Sequence, residues 1–161
     1  MSTAASTPAD FDFLIGAWRV RHHRLKERLA GSTEWEDFGG TTVAQKILGG
    51  LGNVDDNVIE LPAGTYRAAT VRTFDPQQRL WSIWWLDARH PQQLDTPVRG
   101  SFAHGVGTFH ANDQYRGQPI VVRFIWSDIE DDSCRWQQAF SPDAGTTWET
   151  NWVMDFERQA T

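Results

Sequence analysis

Two β-rich runs, "TYRAATVRTF" at 65–74 and "LWSIWWLDA" at 80–88, flank "DPQQR" at 75–79, and their reading decides the fold. Both runs are dominated by β-branched and aromatic residues, which suit a pleated, half-buried surface. Between them, Asp75 offers a short acceptor side chain to the next backbone N–H groups, and Pro76 presets φ for a turn. Strand, tight turn and strand read as an antiparallel hairpin.

The same pattern continues on both sides. Upstream, "WRVRHHRL" (18–25), "TTVAQKIL" (41–48, after a break at Gly39-Gly40) and "NVIEL" (57–61, after the turn "GGLGNVDD") read as strands. Downstream come "VRGSF" (98–102), "GTFHA" (107–111), "QPIVVRFIWSDI" (118–129), "SCRWQQAF" (133–140) and "TTWETNWVMDFER" (146–158). Short polar turns at regular spacing indicate an all-β sandwich or barrel of about nine to ten strands. No long stretch has a 3.6-residue apolar period, and only "FDFLIGAW" (11–18) reads as a short N-terminal helix, with Asp10 or Asp12 as its cap and Gly16 as its stop. Sequential hairpins would leave two open sheet edges unless the sheet closes. The expectation is therefore a single up-and-down antiparallel β-barrel over 11–161, preceded by a disordered leader over 1–10.

Composition narrows the functional classes. The 161-residue chain carries 21 acidic and 15 basic residues, a net charge of −6, which disfavours nucleic acid and anionic membranes as partners. No apolar run reaches transmembrane length, and the first ten residues lack a signal peptide's basic and apolar regions. One cysteine, Cys134, excludes an intrachain disulfide, so a cytoplasmic monomer or homodimer is expected. Nine Trp and nine Phe against two Tyr need an interior to fill or a cavity to line.

Strand alternation indicates which side chains enter the barrel. In the last strand Trp148, Thr150, Trp152, Met154 and Phe156 share a face opposite Glu149, Asn151, Asp155 and Glu157. In the strand before it, Cys134, Trp136, Gln138 and Phe140 share one. Val122, Phe124, Trp126 and Asp128 share another, and Trp18 inward brings Val20, His22 and Arg24 with it. For 80–88 both faces are apolar: Trp81, Ile83, Trp85 and Asp87 oppose Leu80, Ser82, Trp84 and Leu86, and the N-terminal helix is a candidate cover for one of them. The candidate ligand-binding residues are His22, Arg24, Trp85, Asp87, Trp126, Trp136, Gln138 and Trp152. The indoles would supply stacking and apolar area, His22, Arg24 and Gln138 orientation, and Arg24 a preference for an anionic group.

Other motifs carry less chemistry. "SPDAGTTW" at 141–148 matches the Asp-box of sialidase propellers, but it occurs once, and Asp143, Gly145 and Trp148 suffice to build a turn with its indole directed into the core. "GGLGNVDDN" (49–57) lacks a third glycine and a following helix, so it is a strand connection with Asp55 and Asp56 in solvent. His22 and His23 point to opposite faces of one strand and cannot share a metal, so no metal site and no cofactor are assigned; haem on a single inward His stays open. No nucleophile elbow appears.

"FDFLIGAWRV" resembles the lipocalin signature, in which Gly-any-Trp, here Gly16-Ala17-Trp18, opens the first barrel strand. The resemblance implies a calycin barrel whose end is closed by Trp18 with Arg158 packed across it. "IGAWRV", "LGGLGNVDDN", "YRAATVRTFDPQQRLWSIWWLD" and "TTWETNWVMDFER" together resemble a family of small bacterial lipocalin-like proteins of unknown function. The functional expectation is binding of a small hydrophobic or aromatic molecule inside the barrel. The alternative is an enzyme isomerising or cyclising a hydrophobic metabolite there by acid/base chemistry, with Asp87 opposite His22 or Arg24.

Overall fold

In the computed structural model, which describes residues 6–160, ten antiparallel strands form one closed barrel. They are β1 (Gly16–Leu25), β2 (Trp35–Ile47), β3 (Gly52–Leu61), β4 (Gly64–Asp75), β5 (Leu80–Asp87), β6 (Val98–Ala103), β7 (Val106–Tyr115), β8 (Gln118–Ser127), β9 (Ser133–Ser141) and β10 (Glu149–Arg158). Each strand pairs with the next in sequence, and β1 pairs with β10 from Trp18 opposite Arg158 to Arg24 opposite Trp152. The up-and-down order follows from the short turns. At the β4–β5 hairpin Asp75 Oδ1 accepts the Gln77 and Gln78 backbone N–H groups at 2.8 and 3.2 Å.

The strands run longer than the sequence indicates in two places. The expected break at Gly39-Gly40 is the middle of β2, because the barrel wall there needs glycine: a Cβ on Gly40 would collide with the Val58 carbonyl and crowd His22. The expected turn at 49–56 is largely β3, and its alternation buries Asn53, Asp55 and Asn57. Asp56 lies in solvent as expected, but Asp55 does not.

The N-terminal helix is a single 3-10 turn, Asp12–Leu14, with no side-chain cap. Ahead of it, residues 6–10 of the expected disordered leader form a hydrogen-bonded turn, in which Asp10 accepts Thr7 N–H at 2.9 Å and the Trp81 indole N–H at 3.2 Å. Residues 1–5 lie outside the described residues. This segment covers the Trp81 face of β5, from inside the barrel. It inserts Phe11 into the barrel end, against Trp81, Phe102, Phe109 and Trp126 at centroid separations of 4.8 to 6.0 Å.

That end is locked by Trp18 and Arg158. The fully buried Trp18 donates its indole N–H to the Leu14 carbonyl at 2.8 Å. The Arg158 guanidinium lies 4.2 Å over the same ring and donates to the Ile15, Phe13 and Asp131 carbonyls at 2.8, 2.7 and 2.9 Å. Gly16, at φ +125°, lets the chain pass beneath the guanidinium, since a Cβ there would sit 2.7 Å from Arg158 Nη1.

Cys134 lies in the core, and burial pushes its thiol up to about 12, which leaves it an inert apolar side chain. Outward positions of β1 carry Arg19, Arg21 and His23, all exposed. A charged outer face is the reverse of the apolar girdle of a membrane barrel. Among the described residues no helix is long and apolar enough to cross a membrane.

Candidate functional site

Strand alternation brings the candidate residues inward, and on β5 the inner face is Trp81, Ile83, Trp85 and Asp87. Ser82 turns outward and accepts Arg99 Nε–H at 3.1 Å. Trp152 is the hub. Its ring meets Trp136 and Trp85 edge to face at 5.5 and 5.9 Å, and its indole N–H donates to His22 Nδ1 at 3.1 Å. That bond fixes the His22 tautomer with Nδ1 as acceptor. His22 also stacks on Phe38 at 4.7 Å, and burial, reinforced by Arg24, lowers its pKa to about 4. The ring is neutral at pH 7.

Arg24 stands at the end of β1 opposite Trp18 and Arg158, with its guanidinium 4.5 Å from the Trp152 ring centroid. Its Nε is buried and finds no hydrogen-bond partner among the described residues, and burial followed by the charge of Arg28 lowers its pKa. Nearby, Arg89 lies 3.7 Å over the Tyr66 ring. Asp87 is not free for acid/base work. Burial alone would raise its pKa, but the Arg89 guanidinium and backbone N–H bind both its oxygens and hold it below the ordinary range. The pairing of a raised Asp87 with His22 or Arg24 is therefore not assembled.

Two expected inward positions are overturned in β10, and one in β8. A bulge between Thr150 and Trp152 places two residues where one would sit. Asn151 is consequently buried and accepts the Gln138 amide N–H at 2.8 Å. Thr150 is only partly buried, and Trp148 falls outside, under the Arg123 guanidinium at 4.1 Å. Asp128 leaves β8 in a turn at φ +51° and is exposed. The 141–148 stretch is a turn, as its residues indicate. Asp143 accepts Thr147 N–H at 2.8 Å, and the Thr147 hydroxyl with the Ser141 hydroxyl holds its carboxyl down to about 2.

Trp126 lies lower in the barrel, 5.3 Å from Phe156. There, side chains the sequence reading missed form a buried polar network. Arg72 Nη2 meets Asp55 Oδ2 at 2.7 Å, and Nη1 donates to Asn53 Oδ1 at 2.8 Å. Asp55 Oδ1 accepts Asn57 Nδ2–H at 2.6 Å and Thr70 N–H at 3.1 Å, and Thr42 donates to Asn57 Oδ1 at 2.6 Å. Sequence carried a signal for this. Extending the alternation of "NVIEL" backwards puts 53, 55 and 57 on the face of Ile59, opposite the inward positions of β4.

The wide Trp-lined chamber expected from composition is largely filled. Between the network and the indoles of Trp85, Trp126 and Trp136 a cavity of about 30 Å³ remains, the size of one small group. Outside the barrel a broader depression is lined by Arg19, His23, Asp37, Arg135 and Asp155, but these charges pair among themselves and with Glu60. Among the described residues no group of three or more His, Cys, Asp or Glu is placed to hold a metal ion.

No protein-family model matches the chain, and no curated protein does. The narrower resemblance to a bacterial family of unknown function thus has no family model behind it. Among solved structures the chain is similar to an S-type phycobiliprotein lyase, CPES, from Guillardia theta. The match has a TM-score of 0.66 at 9% identity and covers 97% of this chain and 94% of that one. The common ground is the fold: this chain folds as a lipocalin-like barrel, closed by ten strands.

Proposed function

We propose that the barrel binds a small, flat, aromatic molecule carrying one carboxylate, taken in at the Arg24 end over Trp152. The observation that carries this reading is the placement of Arg24: a part-buried guanidinium on an indole face, with a buried Nε–H that has no acceptor among the described residues. A buried donor left unpaired costs about 1–3 kcal/mol, which a carboxylate would recover through charge-assisted hydrogen bonds. Removing Arg24 from the Trp152 face exposes a ring on which an aromatic ligand stacks, with Trp85 and Trp136 as side walls. The charge of Glu36 already offsets part of that of Arg24, so one carboxylate beside Arg24 suits the site better than two.

The solved structure of similar fold is named as a phycobiliprotein lyase, which is in keeping with a ligand-binding role for the barrel here. The enzymatic alternative has less support, because His22 is neutral with Nδ1 engaged and Asp87 is held ionised by Arg89. With its one thiol buried and unpaired, the protein fits a cytoplasmic carrier.

Calorimetric titration with 2-naphthoate and its neutral isostere 2-naphthamide tests the reading. The carboxylate should bind saturably and about tenfold or more tighter, a difference of about 1.4 kcal/mol. Equal affinities, or no binding of either, would count against it.

A further inference from the structure

Below the mouth, the polar network is short of acceptors. Asp55 and Asn57 have their side-chain oxygens engaged, yet on two residues that line the cavity a donor, Arg72 Nε–H and the Trp126 indole N–H, is buried with no partner among the described residues. Both residues are 3% exposed. Of the rest of the lining Thr70 brings one hydroxyl, and Ile83, Phe124, Met154 and Phe156 offer no oxygen. The two donors belong to groups that face each other, the Arg72 guanidinium lying 5.5 Å over the Trp126 ring.

We propose that this cavity is an inner anchor for a neutral carbonyl oxygen, so that the ligand carries a ketone-like or amide-like group at its inner end. This rests on the reading that the barrel interior receives a ligand. Two unpaired N–H donors on one cavity's lining suit an sp² oxygen, which has two lone pairs in one plane. A second anion is excluded by charge. Arg72 is already neutralised by Asp55 at 2.7 Å, so a carboxylate would add an uncompensated negative charge beside Asp55 in a low-dielectric interior. The two anchors therefore divide the chemistry: an anionic group at Arg24 and a neutral acceptor at Arg72 and Trp126. Such a ligand is an aromatic keto acid or an acylated aromatic acid. A single buried water is the competing occupant.

The experiment uses acetophenone and α-methylstyrene, which share shape and differ by C=O against C=CH₂. Their titration into the ¹⁵N-labelled protein is followed at the Trp126 indole and Arg72 Nε–H signals. Acetophenone should move both signals downfield to saturation, and α-methylstyrene at matched free concentration should not. Trp126→Phe, which keeps an aromatic ring and removes one donor, should weaken acetophenone about tenfold without changing α-methylstyrene. An absence of saturable movement, meaning that only water fills the cavity, would overturn the proposal. So would equal movement by the two probes, or a ketone preference that survives in Trp126→Phe. Neither probe carries a charge, so the result is independent of Arg24, whose role the naphthoate titration reads separately.

Discussion

Trp152 donates its indole N–H to Nδ1 of His22 at 3.1 Å, and this bond sets the chemistry of the barrel's upper half. Burial keeps His22 neutral, and the bond selects its tautomer and ties the Trp152 ring in place beside Arg24.

From the His22 pKa follows a stability change with pH. The folded value, about 4, lies below the unfolded value near 6.5, so between them the unfolded chain binds more protons. Stability from this group is complete above pH 6.5 and falls as the pH drops towards 4, by about 3 kcal/mol, and is constant below that. Urea unfolding across this range should show the decline, and His22→Asn should flatten it. A variant with the wild-type slope would assign the decline to other groups.

Arg24 separates function from stability. Burial lowers the Arg24 pKa despite the offsetting charge of Glu36, and its Nε–H has no partner among the described residues, so its removal should not destabilise the fold. Arg24→Met should keep or raise the thermal midpoint while abolishing the preference for 2-naphthoate over 2-naphthamide. A large drop in midpoint would make Arg24 a structural residue instead.

Arg158 is the structural counterpart at the closed end. Its guanidinium serves three carbonyls and covers Trp18. Arg158→Met should cost about 2–4 kcal/mol by leaving carbonyls without donors. Arg158→Lys should recover only part of this, since an ammonium cannot span the same fork. Chemical denaturation of the two variants measures both.

Asp143 organises a turn and contacts no interior group. Asp143→Ala should lower the thermal midpoint and leave 2-naphthoate affinity unchanged, as calorimetry would show. A change in affinity would connect the β9–β10 turn to the mouth.

The barrel was legible because period-2 alternation and turn chemistry are local properties. The β4–β5 hairpin, the order of the strands and the inward faces of β1, β8 and β9 follow from them. What escaped was set by three-dimensional neighbours. Gly39-Gly40 looks like a break until a closed wall brings the Val58 carbonyl against it. Asp55 looks solvated until β4 places Arg72 within 2.7 Å. The bulge that buries Asn151 and expels Trp148 has no local signature, since "WETNW" alternates regularly in either register. Arg24 and His22 were legible as inward residues. Their link through Trp152 was not, because the pairing of the first strand with the last sets it.

The central claim, a carboxylate-binding aromatic mouth over Trp152, is tested most directly by following all nine indole N–H signals in a ¹⁵N-labelled sample titrated with 2-naphthoate. The account predicts that Trp152, Trp85 and Trp136 shift together and saturate at one ligand per chain, while the outer Trp35 and Trp148 stay still. Shifts confined to Trp35 or Trp148, or no saturable shift at any indole, would contradict it.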